Sequence, residues 1–185
     1  MKFFTGAAAF SPLVITLPTV AGNRWTVDWR AWQPAERAVL CFVRQEGRLL
    51  LIVKKRGLGA GKVSAPGGRI EPGETPAAAA VRETQEEVGI TPINPRVAGD
   101  VQFAFSNGYN LACTIFVAAL ATGTPVETPE AEPFWQPEGE IPYDRMWADD
   151  RVWLPRLLAG QPFRGAFMFD DDRMLWHRLM LGNDA

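Results

Sequence analysis

Short apolar runs separated by turn residues set the hydrophobic pattern of this chain. Their enrichment in β-branched residues predicts β-strands, over residues 37–44, 48–53, 96–105, 110–120, 131–136, 163–169 and 174–179. Three of the gaps are short and carry turn residues, at positions 45–47, 107–108 and 170–172. Each of these gaps predicts a hairpin.

A helix is predicted between the second and third of these strands, and its ends are both visible. Thr75 suits the N-cap position, and Pro76 suits the first turn, where its missing N–H costs nothing. Residues 77–80 are all alanine, the strongest helix former. Gly89 suits the position just past the last turn.

A second helix is predicted over residues 149–159, with Asp149 or Asp150 at its N-terminus and a kink at Pro155. Seventeen glycines and fifteen prolines imply many turns, which favours a mixed α/β fold over a helical bundle. A length of 185 residues suits one domain with a substantial core.

Composition and charge exclude several classes of protein. A net charge of −2 gives no electrostatic case for binding a nucleic-acid polymer. No stretch approaches the roughly 20 apolar residues that a membrane span requires. Cys41 and Cys113 both lie in apolar runs, where buried free thiols in a reducing cytosol are expected. We therefore expect a cytoplasmic protein.

Residues 1–25 form a distinct leader whose nature the sequence leaves open. Met1 to Phe4 and the apolar residues after them have some character of a signal peptide. Pro12 and Pro18 interrupt that apolar stretch, however, and no convincing cleavage site follows. A segment that packs as an extra strand, or a disordered tail, is the interpretation we prefer, with residues 26–185 as the single folded domain.

Three glutamates on the first predicted helix indicate a metal site. Residues three and four apart on a helix face the same way, so Glu83, Glu86 and Glu87 form one acidic stripe. A hard divalent cation relieves their repulsion, because carboxylate oxygens are ligands that Mg²⁺ and Mn²⁺ prefer. Ahead of this helix, Gly67 and Gly68 supply backbone that bends sharply and approaches a ligand closely.

The whole stretch from residue 68 to residue 90 carries more information than these glutamates alone. It reads GRIEPGE, then seven residues, then RETQEEVGI. This pattern resembles a complete Nudix box with a single departure, Thr84, where the family usually has an aliphatic residue. The resemblance implies the Nudix fold, an α/β/α sandwich with a mixed β-sheet and the box helix on one face.

Motifs outside the box resemble one branch of the Nudix superfamily, the 8-oxo-dGTP diphosphatases that cleanse oxidised purine nucleotides. These motifs are KKRG at 54–57, GAG at 59–61, GTPVE at 123–127 and MWADD at 146–150. The similarity covers most of the chain, from about Trp29 to Leu179. It implies an enzyme that hydrolyses an oxidised purine nucleoside triphosphate to the monophosphate and pyrophosphate.

The same resemblance implies two sets of site residues. The metal, Mg²⁺ with Mn²⁺ as a substitute, would be held by Gly67, Glu83, Glu86, Glu87 and Glu130. The nucleotide would be bound by Lys54, Ser64, Gly67, Gly68, Trp147, Asp149 and Asp150. An indole offers a flat face for stacking a purine, and a carboxyl group can meet the hydrogen-bonding edge of the base.

Three departures from the animal enzymes fall near the expected base pocket. Ser64 replaces an asparagine that touches the base, Leu58 replaces an aromatic residue, and Val39 replaces a small hydroxyl residue. The glycine-rich segment 57–62 fits neither a P-loop nor a dinucleotide fingerprint, so we interpret it as a flexible basic rim beside the metal helix.

For the chemistry, we expect in-line attack of water on phosphorus with a glutamate or a metal-bound hydroxide as general base. Glu86 is the first choice and Glu130 the alternative, while Arg82 holds the helix carboxylates or the loop, through Glu74. The lone histidine, His177, lies in a strand-like run and is expected to be structural or exposed. Two other functions stay open: hydrolysis of ADP-ribose, a dinucleotide or an ordinary nucleotide, and a non-catalytic nucleotide-sensing module.

Overall fold

The computed structural model describes residues 14–182, which form thirteen strands and two α-helices. The strands are Val14–Pro18 (β1), Arg24–Asp28 (β2), Glu36–Gln45 (β3), Arg48–Lys54 (β4), Val63–Ser64 (β5), Gly67–Arg69 (β6), Thr91–Ile93 (β7), Arg96–Phe105 (β8), Asn110–Ala118 (β9), Leu120–Thr122 (β10), Ala131–Pro137 (β11), Phe163–Asp170 (β12) and Arg173–Leu181 (β13). The helices are Pro76–Val88 (α1) and Asp150–Leu158 (α2), with short 3-10 helices at Glu138–Glu140 and Tyr143–Arg145. Every strand and helix predicted above is confirmed, within a few residues at each end.

A nine-stranded mixed sheet forms the centre of the molecule. Its order is β11–β4–β3–β9–β8–β12–β13, with β5 beside β4 and β6 beside β3. β3 runs parallel to β9, and β8 runs parallel to β12. The other neighbours, including the three predicted hairpins, are antiparallel. The predicted mixed sheet is thus confirmed.

One opening in this sheet positions the segment ahead of α1. β3 and β4 pair only at their hairpin end, through Arg44 with Leu49 and Gln45 with Arg48. Beyond that point β6 pairs with β3, and β5 pairs with β4. β6 also contacts α1. The separation of the two long strands therefore leads Gly67 and the residues after it to the side of α1.

The two helices cover opposite faces of the sheet. On one face, Ala79 and Ala80 of α1 pack with Cys41 and Phe116. On the other face, α2 packs Trp153 into the main hydrophobic cluster with Phe42 and its neighbours. Because successive strand residues point to opposite faces, the adjacent residues Cys41 and Phe42 contact different helices. The predicted sandwich, with the box helix on one face, is confirmed.

The ends of α1 form as the sequence predicted. Thr75 Oγ1 accepts a hydrogen bond from Ala78 N at 3.2 Å, and Pro76 occupies the first turn. Gly89 ends the helix in the left-handed conformation, with φ of 74°. Thr84 faces the core, fully buried, and its hydroxyl donates to the Ala80 carbonyl. Its side chain packs where an aliphatic residue would, and the buried hydroxyl has a partner.

A hairpin made of β1 and β2 covers part of the sheet and includes the end of the predicted leader. Ile15 and Val27 form a cluster with Ala104 and Met168 of the sheet. Strand β2 crosses position 25, where we placed the boundary of the leader. The signal-like residues 1–4 lie outside the described residues.

Both cysteines lie inside the molecule. Cys41 and Cys113 are buried free thiols, as predicted, and burial raises the pKa of Cys41 to about 11. Within residues 14–182, no helix is long and apolar enough to cross a membrane.

Candidate active site

A cavity of about 450 Å³ opens between the glycine-rich segment 57–62, strand β3 and the aromatic residues of β8 and β12. Ten of the predicted site residues line it, namely Lys54, Ser64, Gly67, Gly68, Glu83, Glu87, Glu130, Trp147, Asp149 and Asp150. Glu86 and Arg82 do not belong to the lining. The cavity thus has a carboxylate end beside α1 and an aromatic end beside Trp147.

Glu87 is the buried member of the acidic stripe, with 2% of its surface exposed. One carboxylate oxygen accepts a hydrogen bond from Gly67 N at 2.8 Å, and the other lies 3.1 Å from Lys54 Nζ. Burial raises the pKa of Glu87, and the Lys54 charge and the Gly67 amide partly oppose that rise. Lys54 Nζ also donates to the Gly67 carbonyl at 3.3 Å, so a cation already lies between two oxygen atoms that could bind a metal ion.

Arg82 holds the other two helix glutamates. Its Nη1 donates to Glu83 Oε1 at 2.8 Å and to Glu86 Oε2 at 3.0 Å. Its Nε and Nη2 donate to the two carboxylate oxygens of Glu74, each at 2.9 Å, and Nη2 also donates to the Arg69 carbonyl. The hydrogen bond with Arg82 lowers the pKa of Glu74. Arg82 therefore ties the loop before α1 to the acidic stripe.

Gly68 leaves room for the Glu83 carboxylate. A Cβ at position 68 would overlap all three carboxyl atoms of Glu83. Position 67 is equally restricted, because a Cβ there would overlap the Val39 carbonyl and the Leu40 backbone. The two glycines thus let the β6 backbone and the carboxylates of α1 lie side by side.

Glu130 lines the cavity just before β11. Its carboxylate forms an ion pair with Arg56 Nη2, and its backbone N–H donates to Thr128 Oγ1 at 3.1 Å. Within residues 14–182, the His, Cys, Asp and Glu side chains form no ready-made group of three or more that could hold a metal ion. The acidic groups are paired with Lys54, Arg56 and Arg82 instead.

The donors at the carboxylate end nevertheless fit a hard divalent cation. They are carboxylates and one backbone carbonyl, all oxygen, which is the ligand set of Mg²⁺ or Mn²⁺. The missing Cβ of Gly68 leaves the Glu83 carboxylate room beside β6. The Gly67 carbonyl and Glu87 already share one cation, the Lys54 ammonium.

Two buried aspartates lie at the aromatic end. Asp149 Oδ2 accepts a hydrogen bond from Trp153 Nε1 at 2.8 Å, and Asp150 Oδ2 accepts one from Trp147 N at 3.1 Å. Their exposed fractions are 3% and 4%. Burial raises the pKa of Asp149 to about 6, and burial together with the Asp149 charge raises the pKa of Asp150. Asp149 occupies the N-cap position of α2 without a side-chain capping bond. With one carboxyl ionised and the other protonated, the pair can present an acceptor and a donor to a ligand in the cavity that both line.

Trp147 is half-buried and held on several sides. Its ring packs edge-on against Phe105 and Phe169, with centroids 6.2 and 5.5 Å away. Lys62 Nζ lies 4.8 Å from the indole centroid, in a cation–π contact, and forms an ion pair with Asp172 at 2.8 Å. Trp147 therefore serves both the core and the cavity wall.

Several lining residues escaped the sequence interpretation. They include Arg56, Lys62, Phe103, Phe105, Tyr109 and Phe169. The alternation of Phe103 with Phe105 was a visible signal, because residues two apart on a strand share a face. The pairing of Lys62 with Asp172 had no such signal, since 110 positions separate them.

The residues that depart from the animal enzymes also line the cavity, and these are Val39, Leu58 and Ser64. They lie around the same cavity as Trp147, so they affect how a base would fit. His177 is absent from the lining and stacks on Phe167, with ring centroids 6.2 Å apart.

Comparison with known proteins places the chain in a family. The NUDIX domain matches residues 34–157. A Danio rerio protein named oxidized purine nucleoside triphosphate hydrolase is 41% identical over 142 residues, which cover 76% of this chain and 91% of that protein. The Mus musculus protein of the same name is 39% identical over 133 residues, which cover 71% and 85%.

A solved structure agrees with this match. A MutT protein from Bacillus halodurans superimposes with a TM-score of 0.71 and 29% identity, covering 78% of this chain and 97% of that one. Sequence, fold and cavity agree: the chain belongs to the Nudix family and is one of its hydrolases.

Proposed function

We propose that this protein hydrolyses oxidised purine nucleoside triphosphates of the 8-oxo-dGTP type to the monophosphate and pyrophosphate, and so cleanses the nucleotide pool. One observation carries the proposal: a single cavity joins the carboxylates Glu83 and Glu87 to an aromatic end with Trp147 and the buried pair Asp149 and Asp150. The names of the Danio rerio and Mus musculus relatives support the same substrate class.

Mg²⁺, or Mn²⁺ in its place, is the cofactor we propose. The residues that would hold it are the Gly67 carbonyl and Glu83, Glu86, Glu87 and Glu130. When bound, such an ion neutralises phosphate charge and lowers the pKa of the attacking water. Nudix hydrolases as a family require divalent cations, and the oxygen donors described above suit a hard one.

The proton of the attacking water goes to Glu86 in this proposal. Glu86 shares Arg82 with Glu74 and Glu83. Because 55% of its side chain is exposed, its carboxylate is the most accessible of the stripe. Glu130 is the alternative base, and it must first leave Arg56. Arg82 is a positioning residue, because it holds Glu83 and Glu86 by fixed hydrogen bonds.

Binding of the nucleotide uses both ends of the cavity. Lys54 supplies a point charge for a phosphate, and Gly67 and Gly68 let the phosphates approach the backbone. Trp147 offers an apolar ring for the purine, with Ser64 as a polar neighbour. Oxidation at C8 turns N7 of a purine from an acceptor into a donor, so an ionised carboxylate of Asp149 or Asp150 favours the oxidised base.

The partner we propose is a free nucleotide in the cytoplasm rather than a nucleic-acid polymer. The net charge of −2 offers no attraction for a polyanion. The buried free thiols of Cys41 and Cys113 suit a reducing compartment.

Product analysis tests this proposal. The purified chain is incubated with 8-oxo-dGTP and Mg²⁺, then with an excess of EDTA, and products are separated by ion-exchange chromatography. We expect 8-oxo-dGMP and pyrophosphate in equal amounts, lost with EDTA and restored by added Mg²⁺. Release of a diphosphate and orthophosphate would reject the assigned bond cleavage. Binding without any turnover would favour the sensing module.

A further inference from the structure

Four cations lie at or beside the carboxylate end of the cavity: Lys54, Arg56 and Arg69 line it, and Arg82 holds the acidic stripe beside it. Arg69 pairs with Glu36, which also accepts a hydrogen bond from Tyr109, a neighbour of Phe105 at the aromatic end. Arg82 donates to Glu74, Glu83 and Glu86 and to the Arg69 carbonyl. Lys54 has 21% of its side chain exposed and lies between Glu87 and the Gly67 carbonyl. Arg82 could turn to a new ligand only by releasing its paired carboxylates, and Lys54 meets a phosphate only from its place beside Glu87 and the Gly67 carbonyl.

Arg56 has 66% of its side chain exposed, and within the described residues its ion-pair partner is Glu130, which we propose as a metal ligand. Both members of this pair line the cavity. The neighbouring Lys55 is directed away from it. Lys55 Nζ donates to Glu127 and to the Thr128 carbonyl at 2.7 Å, and Lys55 is absent from the cavity lining.

The position of this pair in the sheet indicates which part of a nucleotide it would meet. Arg56 follows β4, and Glu130 precedes β11, the strand next to β4 at one edge of the sheet. Trp147 packs against Phe105 of β8 and Phe169 of β12, and β3 and β9 separate those strands from β4. A nucleoside triphosphate with its base at Trp147 therefore has its terminal phosphates nearest the sheet edge formed by β4 and β11.

We propose that Arg56 binds the terminal pyrophosphate unit of the nucleoside triphosphate, exchanging the Glu130 carboxylate for phosphate oxygens. A guanidinium presents a planar fork of donors that matches phosphate geometry, which an ammonium does not. The exchange also releases Glu130 at the moment the substrate arrives. This inference rests on the proposed function, since it assumes a triphosphate with its base at the aromatic end.

Pyrophosphate inhibition provides the test, with Arg56→Gln compared against the matched variant Lys55→Gln. For Arg56→Gln we expect the KM for 8-oxo-dGTP and the inhibition constant of inorganic pyrophosphate to rise about tenfold, as for loss of a charged hydrogen-bonding group. The inhibition constant of 8-oxo-dGMP should stay unchanged. Arg56→Lys should recover only part of the loss, and Lys55→Gln should match wild type in all three measurements.

Equal pyrophosphate inhibition in Arg56→Gln and Lys55→Gln would overturn the inference, as would an equal weakening of 8-oxo-dGMP. If wild type released no pyrophosphate from any triphosphate, the proposed function would fail first. Calorimetric titration of inorganic pyrophosphate with Mg²⁺ into wild type and Arg56→Gln would then still decide the role of Arg56: weaker binding by the variant supports it, and equal binding rejects it.

Discussion

The carboxylate of Glu83 occupies the space that any side chain at position 68 would need, so its position beside the glycine turn depends on Gly68. The overlapping atoms belong to the end of a flexible side chain. A methyl group at position 68 would therefore displace the Glu83 carboxylate rather than the backbone. A substitution at position 68 should therefore change catalysis more than it changes folding.

Gly68→Ala is expected to reduce kcat at least about tenfold, since a small misplacement of a ligand or catalytic group costs one to two orders of magnitude. The melting temperature should fall by no more than a few degrees. Gly139→Ala is the matched control, because a Cβ there meets nothing within 4 Å. Turnover by Gly68→Ala within twofold of the control would mean that the position of Glu83 does not matter.

Glu86→Gln should keep the fold and lose about 99% or more of turnover, because a general base contributes roughly 10²–10⁴-fold. Glu86 is more than half exposed, and Gln retains an oxygen that can accept from Arg82. The measurements are kcat with saturating Mg²⁺ and the urea midpoint of unfolding. A variant that kept turnover within a few-fold of wild type would transfer the role to Glu130.

The fold was largely predictable because its long elements carry periodic patterns. β3, β8, β9 and β12 each span eight or more residues, long enough for apolar runs to show. The pattern delimited neither the five-residue strands β1 and β2 nor the shorter β5, β6, β7 and β10. The last four have only two or three residues. β5 and β6 form because the long strands β4 and β3 offer unpaired backbone groups, while β7 and β10 pair with each other. Both causes are tertiary, and a local pattern does not contain them.

The candidate site was predictable where residues lie close in sequence and hidden where they do not. Helical spacing alone placed Glu83, Glu86 and Glu87 together. The ion pair of Arg56 with Glu130 joins residues 74 positions apart, and no local pattern signals it. Family resemblance supplied Glu130 itself, but the partner that holds it required the fold.

Lys54→Met should destabilise the metal-free protein by about 2 kcal/mol at pH 7, because it leaves Glu87 buried without its cation. Burial raises the pKa of Glu87 above its unfolded value. Ionised Glu87 therefore opposes folding, and protonated Glu87 favours it. The stability that protonation provides is complete below the unfolded pKa and is lost as pH rises through the folded pKa. Without the Lys54 charge the folded pKa of Glu87 rises further, so the variant loses more stability than wild type as pH rises.

Urea unfolding of Lys54→Met at pH 4.5 and pH 7, in EDTA, measures the effect. The free energy of unfolding of the variant, relative to wild type, should recover at the lower pH. Lys55→Met is the control, since its partner Glu127 is largely exposed. The same deficit at both pH values would show that Glu87 is not the group involved.

Asp150→Asn should flatten the pH dependence of stability between about pH 4 and 7. Burial raises the pKa of Asp149 to about 6 and that of Asp150 as well. In wild type, the stability that protonation provides is complete below the unfolded pKa of an aspartate and is lost as pH rises through the folded values. The loss is about 1.4 kcal/mol for each pH unit between the unfolded and the folded pKa. Removing one carboxyl removes the mutual repulsion.

The free energies of unfolding of wild type and Asp150→Asn, measured by urea titration at several pH values, check this. Asn retains an oxygen that can accept from Trp147 N, so the local hydrogen bond persists. Parallel curves for the two proteins would indicate that the aspartates titrate independently of folding.

Substrate discrimination tests the central claim most directly. The measurement is kcat/KM with Mg²⁺ for 8-oxo-dGTP, dGTP, dATP and ADP-ribose side by side, with pyrophosphate release scored for the first three and nucleotide products for the last. We predict a preference of about tenfold or more for 8-oxo-dGTP, which corresponds to about 1.4 kcal/mol of transition-state discrimination. Equal values, or ADP-ribose ahead, would contradict the assignment of Trp147, Asp149 and Asp150 to an oxidised purine.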